Sequence, residues 1–356
     1  MDDTFVNPGL IEDPRSLDEK SKDYMHQELF LALPLVWKEK TDSELPAYEI
    51  RNQNGSGQCV AFSAAKVLGI NNLQEHGIFP RLSPRDIYMR RFNKDSAGMW
   101  LQDAGEIMRK YGATLDSLVP SDLLTEAQAN KSLDRTTDMI NEALKYRIKN
   151  YVFTTGIDGV AQAMETLKKN GIKGGVMVCF RFDIPEWTAV PQLLKDVPRN
   201  RLYEDLSCGH CITAVDYMMY EGEKALLIED SWGTSYGKAG RRIIKESFFN
   251  ARNNGAMYTI DLESEVPLEK PSFTGKTILN YGTMNNTDVA DLQDVLKYEA
   301  LMPSNIDSTG NYLELTRKGV LQWQIKHNVA DMAELTMLNG RRVGPKTLSK
   351  LKELYG

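Results

Sequence analysis

Three short segments hold the residues whose types and spacing could do chemistry. The first, residues 52–63, places Cys59 behind the turn Asn54-Gly55-Ser56-Gly57 and at the start of a helical pattern in which Ala61, Phe62, Ala65 and Leu68 recur. A helix N-terminus offers free main-chain N–H groups and a positive dipole end, and both favour a thiolate over a thiol. The same N–H groups, with a nearby side-chain amide such as Gln53, could stabilise a developing oxyanion. The second segment, Gly209-His210-Cys211-Ile212-Thr213-Ala214-Val215, sets His210 at the mouth of a strand. The third, Glu229-Asp230-Ser231-Trp232-Gly233-Thr234, follows the next strand. Two adjacent strands would bring His210 to Asp230. The carboxylate would then orient the imidazole while its other nitrogen faced Cys59, the arrangement of an activated thiol nucleophile.

The elements that must position these groups can be read from the surrounding pattern. A helix starts near Cys59, with Gly69 as its expected stop. Ser83-Pro84-Arg85-Asp86 signals a second helix start. A third helix covers Leu101 to Tyr111 and ends at Gly112, and a fourth covers Val160 to Lys169 and ends near Gly171. Val176 to Phe180 is a short apolar run of the buried-strand type, followed by strands over Cys211 to Tyr217 and Lys224 to Ile228. The first thirty residues are polar and read as an extended arm with a short helix around Lys22 to Ala32. Ser264 to Lys276, with Pro267, Pro271 and Gly275, reads as a linker. Beyond it, three helix faces are expected: Val289, Leu292, Val295 and Leu296; Val320, Leu321, Trp323 and Ile325; and Thr347, Leu348, Leu351 and Leu354. The expected organisation is an arm (1–32), a main domain (33–263), a linker (264–284) and a helical domain (285–356).

Composition narrows the function classes. The 356 residues are 42% hydrophobic and 26% charged, an ordinary globular balance. Forty-three basic against forty-nine acidic side chains give a net charge of −6, which argues against nonspecific nucleic-acid binding. The apolar stretch from Leu29 to Trp37 is short and interrupted by Pro34, so no membrane span is expected. The acidic start Met1-Asp2-Asp3-Thr4 lacks the pattern of a secretory signal. Four cysteines are too few for a disulfide scaffold at this length. Cys208-Gly209-His210-Cys211 has the composition of a thiol redox pair, but such a pair opens a helix and this one opens a strand pattern. The scattered histidines and cysteines show no zinc spacing, Asp307 to Glu314 lacks the alternating ligands of a calcium loop, and Gly171 to Gly175 lacks a phosphate cradle. No metal or cofactor is therefore expected.

In their order, the three segments resemble those of papain-family cysteine peptidases. Gln53 stands six residues before Cys59, and Ala61-Phe62-Ser63 follow it as in that family. His210 leads a strand of small and β-branched residues. Asp230-Ser231-Trp232-Gly233-Thr234 is similar to the family's Asn-Ser-Trp-Gly-Thr, with Gly237 and Gly240 beyond it. The Cys59-to-His210 separation of 151 residues is near the family's range of about 130–150. Leu82-Ser83 and the run from Gly98 to Gly112 resemble the family's substrate-cleft region, in which Gly98 and Gly209 would line the cleft. The resemblance covers residues 33–262. It implies an α+β, two-lobed papain-like fold, with Cys59 as nucleophile, His210 as general base and later acid, Gln53 as oxyanion donor, Asp230 orienting His210, and Trp232 shielding that contact from water.

The sequence also departs from the pattern. Asp230 stands where the family has Asn, and the added negative charge would favour imidazolium. Val60 replaces an aromatic, and Ser56 replaces a disulfide cysteine. About thirty residues precede the likeness, fewer than the family's long inhibitory prosegment, so any latency is expected to come from elsewhere.

The tail resembles the peptidoglycan-binding-like three-helix domain. Leu292-Gln293, Gly310 with Thr316, Val320 with Trp323-Gln324, and Gly344-Pro345-Lys346-Thr347-Leu348 fit its pattern in order, with the run Leu338 to Gly344 as the loop before the last helix. The combined expectation is a peptidase that hydrolyses peptide bonds through a Cys59 thioester. Its substrate would be a peptide or protein, and it would be held at a bacterial cell envelope by residues 285–356 or carried by a phage or virion. Two alternatives use the same residues: a catalytically inactive structural or binding protein of a larger assembly, and a transferase or amidase with the same thioester chemistry.

Overall fold

The computed structural model describes residues 9–40, 48–169, 171, 174–182, 184, 187, 193–194, 208–260, 270–303 and 306–356. The chain divides into two compact units, one from Met1–Pro14 with Leu33–Ile260 and the other from Arg15–Ala32 with Asp261–Gly356. In chain order the first helices belong to the second unit, α1 (Leu17–Lys20) and α2 (His26–Leu29). The first unit then runs through α3 (Cys59–His76), α4 (Pro84–Tyr88), α5 (Leu101–Lys110), α6 (Glu126–Ala129), α7 (Thr137–Leu144), β1 (Asn150–Thr154) and α8 (Gly156–Lys169). It continues with β2 (Val176–Phe182), β3 (Leu193–Leu194), β4 (Cys208–Tyr220), β5 (Glu223–Glu229), β6 (Arg241–Lys245), α9 (Glu246–Arg252) and β7 (Asn253–Ile260).

The first unit is α+β, with helices α3 to α7 ahead of a seven-stranded sheet of order β1-β7-β2-β4-β5-β6-β3. The sheet is antiparallel except where β3 joins β6 in parallel. The long strand β4 is central to the site. It pairs with β2 so that Phe180 lies opposite His210, and with β5, whose end delivers Asp230. Helix α3 is buried on nearly every side from Cys59 to Ile70, and its Val60, Ala61, Ala64 and Leu68 share a core with Met177, Cys179, Cys211 and Met257 of the sheet. Burying a Val- or Leu-sized side chain contributes about 1.5–3 kcal/mol, so this helix is held firmly with Cys59 at its first turn.

Gly69 does not stop α3. A Cβ there would lie 2.8 Å from the Phe79 ring, so the glycine is a notch that admits an aromatic side chain. The helix runs on to Gly77, whose φ of +73° closes it with an N–H to the Leu73 carbonyl. The expected strands lie within β2, β4 and β5, and β4 is longer than its apolar pattern suggested because both its neighbours pair with it.

The second unit packs α10 (Thr287–Tyr298), α11 (Glu314–Lys326), α12 (Met332–Leu338) and α13 (Pro345–Tyr355) with the short pair β8 (Leu279–Asn280) and β9 (Arg342–Val343). The expected linker, 264–284, falls partly outside the described residues; of its described part, 270–276 have no helix or strand, but Leu279–Asn280 form β8 and pair with β9, so the linker expectation is too long. Three helices were expected. The fourth, α12, lies just before the expected loop of Leu338 to Gly344, in a stretch with no expected element, and the Asp331 side chain caps it by accepting from the Glu334 N–H. On α11 the buried face is Leu315, Thr316, Val320 and Trp323, while Ile325 is 42% exposed, so the expected face is rotated.

Residues 15–32 belong to this unit and are not an extended arm. Ser16 and Glu19 form a capping box on α1. Asp307 accepts from the Leu31 N–H at 2.9 Å, Thr309 donates to the Glu28 carbonyl at 3.0 Å, Asn311 donates to the Gln27 carbonyl, and the Glu28 carboxyl accepts from the Leu315 N–H at the start of α11. Glu28 is fully buried, and desolvation pushes its pKa from 4.5 up to about 8 despite those N–H bonds. The Glu28 contribution to docking of residues 26–31 is therefore fully present below about pH 4.5 and is lost as pH rises toward 8, while buried His26, whose pKa desolvation lowers to about 4, weakens docking as pH falls below 6.5. Hydrogen exchange, corrected for its intrinsic pH dependence, should show lower protection of residues 26–31 at pH 8.5 than at pH 6, and Glu28→Gln should remove that difference. Equal protection of the wild-type segment at both values would refute the assignment.

Candidate active site

The loop before α3 is tied to the loop after β5 by main-chain bonds. The Gln53 N–H donates to the Ser231 carbonyl at 2.8 Å, the Gly233 N–H to the Arg51 carbonyl at 3.0 Å, and Asn52 bridges Trp232. Arg51 anchors this loop in turn, donating to Asp122 at 2.8 Å, to Asp116 at 2.6 Å and to the Leu82 carbonyl at 2.5 Å. The segments that the sequence singled out are thus joined before any side chain meets another.

His210 is 2% exposed and its Nε2 lies 2.9 Å from Asp230 Oδ1. Four aromatic rings enclose the imidazole: Phe180, Phe182, Trp187 and Trp232, with centroid separations of 6.1, 5.7, 5.4 and 5.6 Å. Trp232 therefore lies beside the histidine. Asp230 Oδ1 also accepts from the Ser231 N–H at 2.7 Å, while Oδ2 accepts from Trp187 Nε1 at 2.8 Å and faces Arg242 Nε at 3.4 Å. Burial alone would raise the Asp230 pKa. The bond and charge of His210, the charge of Arg242 and the Trp187 N–H outweigh it and hold the group below its usual value. Asp230 thus stays ionised wherever an imidazole titrates.

Gln53 is buried. Its Oε1 accepts from Ser231 Oγ at 2.6 Å and its Nε2 donates to the Ser56 carbonyl at 2.5 Å. The amide is thus held by groups on both sides. Next to Asp230, the buried Glu229 accepts from Lys66 at 2.9 Å and from Arg241 at 2.9 Å, which locks the end of β5 to α3 and β6.

Cys59 is fully buried, and here the expectation of a low-pKa thiol fails. Desolvation pushes its pKa well above the ordinary value, although the N–H groups of Cys211 and Val60 at the sulfur favour the thiolate. Part of the cover is the chain's own arm. The Met99 N–H donates to the Gly9 carbonyl at 3.0 Å, the Ile11 N–H to the Met99 carbonyl at 3.2 Å, and the Leu10 N–H to the Gly209 carbonyl at 3.2 Å. Leu10 is 6% exposed, and Glu12 pairs with Arg181 at 2.5 Å. A Cβ on Gly9 would lie 2.4 Å from Cys59 Sγ, and one on Gly209 would lie 2.4 Å from the Leu10 carbonyl oxygen. Residues 9–11 therefore run between Met99 and Gly209 and against Cys59, beside the two glycines that the sequence suggested as cleft residues. Three main-chain bonds need only a few residues, so a long prosegment is unnecessary for contact with the thiol.

Sequence reasoning missed Trp187 and Arg242, the two groups on the far oxygen of Asp230. Neither falls in a motif. Pairing between β6 and β5 sets Arg242 opposite Ile228, two residues before Asp230, but an arginine in a buried strand gives no signal of its counter-ion. The Cys208 to Cys211 tetrad opens β4, as expected, and Cys59, Cys179 and Cys211 are free thiols. Among the described residues, no group of acidic, cysteine or histidine side chains could hold a metal ion, and no helix is long and apolar enough to cross a membrane.

Fold and site together define a cysteine-protease architecture, and comparison with known proteins gives the same class. The family model described as papain family cysteine protease matches residues 36–260, and the chain belongs to that family. Cysteine proteinase 3 of Entamoeba histolytica is 31% identical over 158 residues, 42% of this chain and 47% of the relative, so the match spans about half of that relative's length. Among solved structures, xylellain, a cysteine protease from Xylella fastidiosa, is similar with a TM-score of 0.56 at 16% identity, covering 73% of this chain and all of that one. At that identity the likeness shows the fold alone.

Gly9→Val should expel the arm, because the added carbon cannot fit against the sulfur. Labelling of Cys59 by iodoacetamide at pH 7, followed by mass spectrometry, should accelerate by about tenfold or more as the thiol regains solvent and its pKa falls. An unchanged rate, with residues 9–11 as protected as before, would show that the arm does not control access.

Proposed function

We propose that this chain is a cysteine peptidase held latent by its own residues 9–11. The observation that carries the reading is the buried His210–Asp230 contact on the strand whose next residue, Cys211, meets the Cys59 sulfur through its main chain. With Nε2 committed to Asp230, Nδ1 is the ring atom left to take the Cys59 proton. The thiolate attacks the scissile carbonyl, and the oxyanion is met by the Cys59 N–H and the second N–H of Gln53. His210 then protonates the departing amine, leaving a thioester, and activates the water that cleaves it. Asp230 holds the imidazole in the tautomer that this sequence needs, and Trp232 keeps water from their contact.

The test is hydrolysis of quenched fluorescent peptides by the full chain and by Gly9→Val. Cys59→Ala and His210→Ala should each lower the rate by about a thousandfold or more, and labelling by an epoxide inhibitor such as E-64 should persist below pH 7 only while His210 is present. If Gly9→Val neither hydrolyses peptides nor labels below about pH 8.5, the ordinary thiol value, the chain is an inactive papain-like structural protein instead.

The second unit is proposed to retain the enzyme on bacterial cell wall, either from a host cell or from a phage particle. What supports this is the sequence resemblance of its tail. Its motif residues serve inside the unit: Gln293 donates to the Asn311 carbonyl at 3.1 Å and to Thr316 at 2.9 Å, and Gln324 to the Arg342 carbonyl at 2.9 Å and Thr347 at 3.0 Å. Any wall contact must come from other, exposed groups. Co-sedimentation of the full chain with purified sacculi tests the reading, and recovery of all protein in the supernatant would remove it.

A further inference from the structure

The sequence sets an aspartate where the papain pattern has a neutral amide, and taken alone that change adds a negative charge next to the catalytic imidazole. The structure holds a counterpart. Arg242 is 1% exposed on β6, with its Nε 3.4 Å from Asp230 Oδ2 and its guanidinium 4.6 Å from the centre of the Trp187 ring. The carboxylate is thereby divided, with Oδ1 serving His210 and the Ser231 N–H, and Oδ2 serving Arg242 and Trp187. A buried carboxylate with one cationic partner would bias that partner strongly toward its charged form, and a second cation on the opposite oxygen offsets the bias.

We propose that Arg242 is a positioning residue that acts through Asp230: it fixes the carboxylate's far oxygen and offsets its charge, so that His210 can both lose and regain a proton during turnover. The inference rests on the peptidase reading for its consequence in catalysis, but not for its electrostatics. Among the described residues, the other charged and titratable groups near this pair are few. Cys59 on α3 is a neutral thiol under the arm, Glu229 at the end of β5 is paired with Lys66 of α3 and Arg241 of β6, and the remaining rings about His210 carry no charge. Tyr236, in the loop after β5, is near enough to Arg242 to act on its charge. Among the described residues, Asp230 is the carboxylate that meets His210, and Arg242 is the cation that meets its other oxygen.

The experiment is an NMR titration of His210 in the full chain carrying Cys59→Ala, which removes coupling to the thiol; His210→Ala identifies its signal among the four histidines. Arg242→Gln should raise the imidazole pKa by about one unit, Arg242→Lys should leave it near the starting value, and the neutral pair Asp230→Asn with Arg242→Gln should bring it back down. In the chain with Cys59 intact and Gly9→Val, the alkaline limb of kcat/KM should move in the same order. The double variant should be more active than Arg242→Gln alone, a sign of coupling that independent packing losses would not produce. A His210 pKa that does not rise in Arg242→Gln, or a double variant that titrates like Arg242→Gln, overturns the proposal. Correct titration shifts without peptide hydrolysis by Gly9→Val would uphold the charge pairing and refute the peptidase reading.

Discussion

A carboxylate buried without compensation would cost several kcal/mol, and much of the first unit can be understood from how Asp230 avoids that cost. Its two oxygens accept from an imidazole, a main-chain N–H and an indole, and face a guanidinium. Each of these groups comes from a different stretch: β4, the loop after β5, residue 187 and β6. Satisfying one carboxylate therefore fixes the register of three strands and the path of the loop that carries Trp232. Since that loop also pairs with residues 51–53, the position of Asp230 extends to the segment that ends in Cys59. The chemistry and the fold share the same constraint.

In the latent enzyme proposed above, the arm keeps a preformed site unreactive. Two opposing influences act on Cys59. The start of α3 and the Cys211 N–H favour the thiolate, while exclusion of water favours the thiol, and with Gly9 against the sulfur exclusion prevails. The sequence suggests the helix N-terminus as an activating feature, but activation needs some solvent or a nearby cation to accept the charge. A glycine is required at position 9 for the arm to come this close, and another at position 209 for the Leu10 carbonyl to pass. Neither requirement is visible until the two stretches are seen side by side.

The legible parts of the sequence were those in which a motif and an element coincide. Residues 52–63, 209–215 and 229–237 each combine a reactive group with a local signal, a glycine-rich turn before a helix or a strand followed by a turn, and their meeting could be inferred from strand adjacency. What could not be read depends on contacts between distant residues whose local patterns are bland. Gly69 has the composition of a helix stop, yet it is an interior notch because Phe79 returns over it. Ser16 to Lys22 looks like solvated chain, yet it forms a capped turn and continues into residues that bury Leu29 and Glu28. Arg242 lies between isoleucine and arginine neighbours in a strand with every position buried, and only the carboxylate beyond it explains a cation there.

The substitution of Asp for Asn in the third position of the site is best understood in the same terms. An amide and a carboxylate are nearly the same size, so packing does not distinguish them, and either can accept a hydrogen bond from the imidazole. The difference is charge, and a charge in a buried site has to be answered locally. An amide can present both a donor and an acceptor, whereas an ionised carboxylate presents acceptors alone and so needs donors on both oxygens. Trp187 and Arg242 supply two donors on the far side, one neutral and one charged. The aspartate therefore brings with it a requirement for a cationic strand position that an asparagine would not have. A buried arginine left facing an amide would in turn lack its counter-charge. The two positions are consequently expected to tolerate change together far better than singly, which makes the pair a unit of the site as much as the contact between His210 and Asp230.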